Sequence, residues 1–158
     1  MKGLTLFLFF SMLLFSCSDA CDDIDCGANG TCQEDSESCL CDDWYEGDRC
    51  ETETRGKFLG TWSSASPCEI GSTVTNPDWT FSEAATINTF IFRSPDVITN
   101  SIFTATLTTE NMATITPFDQ AGASFSGTIE FINDNTMVMV INVESSGTSI
   151  TCNYALSR

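Results

Sequence analysis

Between residues 21 and 50 the chain sets six cysteines, in the pattern Cys21-x4-Cys26-x5-Cys32-x6-Cys39-x-Cys41-x8-Cys50. The large apolar side chains among them are few: Ile24, Leu40, Trp44 and Tyr45. So small an apolar area cannot offset the entropy of ordering the segment, and covalent staples must supply the difference. Each native disulfide in a domain of this size contributes roughly 2–5 kcal/mol. Six cysteines allow many pairings, and spacing alone does not choose among them. A zinc cluster is the rival use of so many thiols, but it suits a reducing compartment.

The N-terminus speaks to the compartment. Met1-Lys2-Gly3 is followed by a mostly apolar run, Leu4 to Phe15, that ends abruptly in polar sequence. One positive charge and an apolar stretch of this length read as an export signal over residues 1–16. The run is shorter than the roughly 20 apolar residues of a membrane span. Export implies an oxidising environment, in which cysteines pair.

Within the cysteine cluster, Cys26-Gly27-Ala28-Asn29-Gly30-Thr31-Cys32 and the stretch from Cys39 to Cys50, CLCDDWYEGDRC, resemble an EGF-like domain covering residues 21–50. Gly47 falls where that family places a glycine, and Trp44 stands where many members carry glycine or proline before the aromatic residue. The resemblance implies the pairs Cys21–Cys32, Cys26–Cys39 and Cys41–Cys50. Calcium-binding members resemble one another in an acidic motif just before the first cysteine. Here Ser18-Asp19-Ala20 is incomplete, and Asp22, Asp23 and Asp25 come after that cysteine. Calcium needs several converging oxygen ligands, so no specific site is expected, and the expected metal and cofactor sets are empty.

Nine cysteines is an odd number. Leu14-Phe15-Ser16-Cys17 resembles a bacterial lipobox, whose cysteine carries diacylglycerol and becomes the mature N-terminus. The resemblance implies a lipidated Cys17, with residues 17–20 as an exposed tag, and two or three acyl chains anchor a protein stably. Ser18-Asp19-Ala20 and the acids after it resemble the tag that directs some lipoproteins to the outer face of the outer membrane. Cleavage after residue 20 is the competing expectation, and it would release a secreted protein.

The formal charge is −16, with a net −10 between Ser18 and Lys57 and −7 from Phe58 onward. Such a chain repels phosphate backbones and anionic headgroups, so nucleic-acid binding is not expected. Histidine is absent. That removes the usual general base near pH 7, and no pair of carboxylates is nominated by spacing. No catalytic residue is expected.

Residues 51–57, Glu51-Thr52-Glu53-Thr54-Arg55-Gly56-Lys57, read as a short polar linker. After it, threonine, isoleucine, valine and phenylalanine dominate, which favour strands. Phe125, Ile129 and Phe131 share a strand face, and Met137 to Val143 is apolar on both faces and reads as central. With Ile150, Cys152, Tyr154 and Leu156 they form a three-strand meander with short turns. Phe58 to Ser63, Thr86 to Phe92, Phe103 to Leu107 and the neighbourhood of Ala113 and Ile115 supply further strands. The predicted fold is all-β: a disulfide-rich module, then a small antiparallel barrel or sandwich of about seven or eight short strands over residues 58–158. Cys68, near the first strand, and Cys152, in the last, are placed to pair. Closing so long a loop contributes about 4–5 kcal/mol in the chain-entropy model.

Gly60-Thr61-Trp62 resembles the Gly-x-Trp strand that opens a lipocalin barrel. That resemblance implies that a basic residue near the C-terminus, here Arg158, packs over Trp62. The expected function is a non-enzymatic, surface-exposed lipoprotein that makes extracellular protein–protein or adhesive contacts. The alternatives are a lipocalin-type carrier of a small apolar ligand and a simple secreted structural protein. The expected associations are an extracellular protein or an apolar ligand, and a membrane through acylated Cys17. A barrel packed solid with Phe103, Phe125, Phe131, Met137, Met139 and Ile141 excludes carriage.

Overall fold

Sulfur organises the N-terminal module and apolar side chains organise the rest. The computed structural model describes residues 21–65, 68–70, 73–75, 78–93 and 101–158. The expected signal, Cys17 and the tag up to residue 20 lie outside the described residues. In the module, β1 (Gly30–Gln33) pairs with β2 (Ser38–Cys41) in an antiparallel hairpin. A second, minimal pair joins β3 (Tyr45–Glu46) to β4 (Thr52–Glu53). Disulfides link Cys21–Cys32, Cys26–Cys39 and Cys41–Cys50. Cys26 and Cys50 are the module's buried core, which is the covalent core that its composition demands.

The remainder is a closed antiparallel barrel of eight strands. They are β5 (Gly60–Ser64), β8 (Asp78–Glu83), β9 (Thr89–Arg93), β10 (Ile102–Thr109), β11 (Met112–Gln120), β12 (Ala123–Asn133), β13 (Thr136–Ser145) and β14 (Thr148–Ser157). Each strand pairs with the next one of the barrel, and β14 returns to β5 through Leu156↔Ser64 and Ser157↔Ser63. Closure joins the two edges that an open sheet would have to protect by other means, through a seam of those two pairs at the end of β14. A separate hairpin, β6 (Cys68–Ile70) with β7 (Thr73–Thr75), lies between β5 and β8 in sequence. The Cys68–Cys152 disulfide ties that hairpin to β14.

Alternation decides which side chains enter the barrel. Across the strands, one row of paired residues reads Phe90, Ala105, Ile115, Gly127, Ile141, Cys152. Large and small side chains alternate along it, so neighbouring rows interdigitate rather than collide. At Gly127 a Cβ would lie 1.9 Å from the Val140 carbonyl oxygen, so no other residue fits there without moving the backbone.

Four expectations from sequence change. The residues read as a linker are structured: β4 pairs back onto the module, and a 3-10 helix covers Thr54–Phe58. The first barrel strand begins at Gly60, not Phe58, because Phe58 ends the 3-10 helix, which the Leu59 N–H closes on the Gly56 carbonyl at 3.2 Å, and the Phe58 ring is buried. The strand predicted from Thr86 begins at Thr89, because a turn closed by the Thr89 N–H on the Thr86 carbonyl (3.0 Å) precedes it. Strand β8, with Trp79 and Phe81 buried, has no counterpart in the sequence reading. The run Met137–Val143 does have a partner strand on both sides. Its second apolar face is the outer wall of the barrel, where Val138 is exposed.

Candidate functional site

Two regions bear on ligand binding, the barrel interior and the junction of the modules. The interior is occupied by its own side chains. Phe58 stacks on Phe90 at 5.1 Å between ring centroids, Phe81 on Phe92 at 5.1 Å, Phe92 on Phe103 at 4.9 Å and Phe118 on Phe125 at 5.0 Å. Phe103 meets Phe118 edge-on at 5.2 Å, so the rings run from the β12–β13 turn to the opposite end. Trp79, fully buried, stands edge-on to Tyr154 at 5.4 Å. Its indole N–H has no hydrogen-bond partner among the described residues, a cost that the ring packing around it must offset. Of the residues predicted to fill the barrel, Phe103, Phe125, Met137, Met139 and Ile141 are buried, and Phe131 packs partly buried against them.

The junction is fastened by the few cations of this acidic chain. Arg55, buried in the 3-10 helix, directs Nη1 at the carbonyl oxygens of Ala84 (2.8 Å), Thr86 (3.0 Å) and Thr89 (3.1 Å). Its Nε donates to Glu53 on β4 at 2.7 Å. One guanidinium thus holds the last strand of the module and the β8–β9 turn of the barrel. Lys57 bonds Glu46 of the module at 2.8 Å and Asn111 of the β10–β11 turn at 3.2 Å, and lies 5.6 Å from the Phe131 ring centroid. Neither residue is singled out by the sequence, in which both sit inside an apparent polar linker.

Arg158 lies over the Trp62 ring, with the guanidinium carbon 4.3 Å from the centroid. It also donates to the Leu59 carbonyl at 3.0 Å and the Asp134 carbonyl at 2.7 Å. Trp62 is fully buried, and its indole N–H donates to the Phe58 carbonyl at 2.9 Å. Together these residues seal the barrel end nearest the module. Gly47 takes a φ of 100°, and a Cβ there would meet the Glu51 carboxylate at 2.7 Å. The Asp25 carboxyl is held below its ordinary value of 3.8, first by the Gly27 N–H that it accepts and then by the neighbouring Arg49 guanidinium. This pair fastens the start of the module to its end.

A cleft of about 730 Å³ opens between the module and the barrel. Leu40, Trp44 and Tyr45 give it an apolar lining, and Asp42, Asp43 and Glu110 of the β10–β11 turn are exposed acids on it. Trp44 sits in a turn closed by the Tyr45 N–H on the Asp42 carbonyl (3.1 Å), at a φ of 70°. That conformation is one glycine normally supplies, and it is unfavourable for a bulky side chain. The Thr54 N–H clamps the Trp44 carbonyl at 2.8 Å, and the ring packs against the barrel core. Among the described residues no group of three or more histidine, cysteine or acidic side chains is placed to hold a metal ion. No family model matches the chain, and no curated protein shows a significant match.

Proposed function

We propose that the chain is a non-enzymatic extracellular contact protein. An EGF-like module and a lipocalin-like barrel are fixed to one another as a single body, held at the cell surface through acylated Cys17. The observation that carries this reading is the packing of the barrel: among the described residues, stacked phenylalanines and rows of alternating large and small side chains occupy the interior. A carrier needs a cavity of several hundred Å³ lined by apolar side chains, which the same residues here occupy. With the interior spent on packing, recognition falls to the outer surface. The three disulfides within residues 21–50 join the pairs that the EGF-like resemblance implies. Arg158 over Trp62 is likewise the contact that the lipocalin resemblance implies. Four disulfides also suit an oxidising compartment.

Native mass spectrometry of protein isolated from its own host tests the reading. The expected result is an apo barrel with diacylglycerol and a further acyl group on Cys17. A retained apolar ligand, released only on unfolding, would overturn it in favour of carriage.

A further inference from the structure

We propose that the cleft between the module and the barrel docks a basic, partly apolar segment of a protein partner, with an arginine or lysine side chain placed against Trp44. This deepens the contact reading above and rests on it.

The argument begins from what the cleft offers. Trp44 and Tyr45 are half-buried, and Leu40 beside them is 57% exposed. An aromatic pair with an exposed leucine is apolar surface left uncovered, of the composition that marks contact sites. Asp42, Asp43 and Glu110 surround it, and among the described residues no basic side chain lines it. Lys57 is nearest, but its side chain is 15% exposed and its ammonium is bonded to Glu46 and Asn111, so it offsets Glu46 and leaves the other acids free. Charge complementarity therefore selects one class of occupant. An anionic or purely apolar partner would leave three carboxylates facing low-dielectric surface, whereas a guanidinium or ammonium satisfies them and meets the tryptophan face as well. The two walls come from different modules, and Arg55 and Lys57 hold those modules together, so the site is pre-shaped and little ordering entropy opposes docking.

Titration of the full mature protein with a fluorescein-labelled oligo-arginine peptide, read by anisotropy at physiological salt, tests the assignment. Two triple variants are compared. Asp42→Asn/Asp43→Asn/Glu110→Gln strips the cleft, and Asp22→Asn/Asp23→Asn/Glu144→Gln removes the same charge elsewhere. All six acids are exposed, and near-ultraviolet circular dichroism checks that both variants keep the fold. The expected outcome is about tenfold weaker binding for the cleft variant and less than about twofold for the distant one. Equal losses would mean that net charge alone attracts the peptide, and would overturn the site while leaving the contact reading intact. Absence of saturable binding to the wild-type protein would overturn it too. A ligand-filled barrel in native mass spectrometry would instead remove the reading beneath it.

Discussion

Arg158 shows how much one side chain holds at the barrel end. It covers Trp62, and it bridges two carbonyls, Leu59 before the first barrel strand and Asp134 in the β12–β13 turn. Although Arg158 is exposed, these contacts fasten the end of β14 to the segment that precedes β5 and to the β12–β13 turn. Arg158→Ala is expected to lower stability by about 1–2 kcal/mol, below the nominal sum for one cation–π contact and two backbone hydrogen bonds because solvent screens an exposed guanidinium. Arg158→Lys should recover less than half of that, because an ammonium cannot reach two divergent carbonyls while lying flat on the indole. Urea unfolding with the disulfides intact measures both: the midpoint should fall at constant m. Equal stability of the alanine variant and the parent would show that the stack is incidental. The Gly60–Trp62 and Arg158 positions are legible in sequence because a two-residue motif and a terminal cation stand out. Arg55 is not, because the chemistry around it is backbone carbonyls, which no sequence pattern displays.

At the scale of elements, the strands that alternate cleanly are readable and those that end in turns of unusual geometry are not. The meander of β12, β13 and β14 follows from period-two apolar positions that one-residue slips would turn to solvent. Strand β8 hides because Asp78, Thr80 and Ser82 dilute a signal carried only by Trp79 and Phe81. The 3-10 helix hides because its sequence, Thr54-Arg55-Gly56-Lys57-Phe58, is polar and contains glycine, the composition of a loop. Among the described glycines of the barrel strands and turns, Gly127 is the one whose importance comes from its neighbours and not from its own dihedral angles. It sits between Ile115 and Ile141 on neighbouring strands, and the Val140 carbonyl occupies the space of its absent side chain. Gly127→Ala is therefore expected to push β12 from β13 and to cost about 1–3 kcal/mol, as overpacking of a filled core does. Amide hydrogen exchange should accelerate at Val140 and Ile141 before it does in β9 or β10. A variant as stable as the parent would mean that the strands separate more easily than the row of alternating sizes implies.

Over the whole molecule, the architecture converts an uneven charge into a local one. The acidic excess of the cysteine-rich half is visible in the sequence, and so is Trp44 beside it. What the sequence does not display is that the β10–β11 turn, some sixty residues further on, completes the same cleft with Glu110 and Asn111. That juxtaposition depends on barrel closure and on the junction formed by Arg55 and Lys57, both long-range events. It gives the three tryptophans distinct surroundings: Trp62 and Trp79 are sealed in the barrel, and Trp44 lines the cleft. Ionic quenchers reach the cleft tryptophan alone, so their charge reads the potential there. At low ionic strength, iodide should quench the native emission poorly relative to caesium, because the acids around Trp44 repel the anion and concentrate the cation. Neutralising Asp42, Asp43 and Glu110 together should raise the iodide quenching constant about twofold and lower that for caesium, with both differences shrinking as salt is added. Trp44→Phe should abolish the quenchable fraction and leave the buried emission unchanged. If iodide and caesium responded alike before and after neutralisation, the acids would not act on the ring they surround, and a basic segment would have no reason to prefer that cleft to any other part of so acidic a surface.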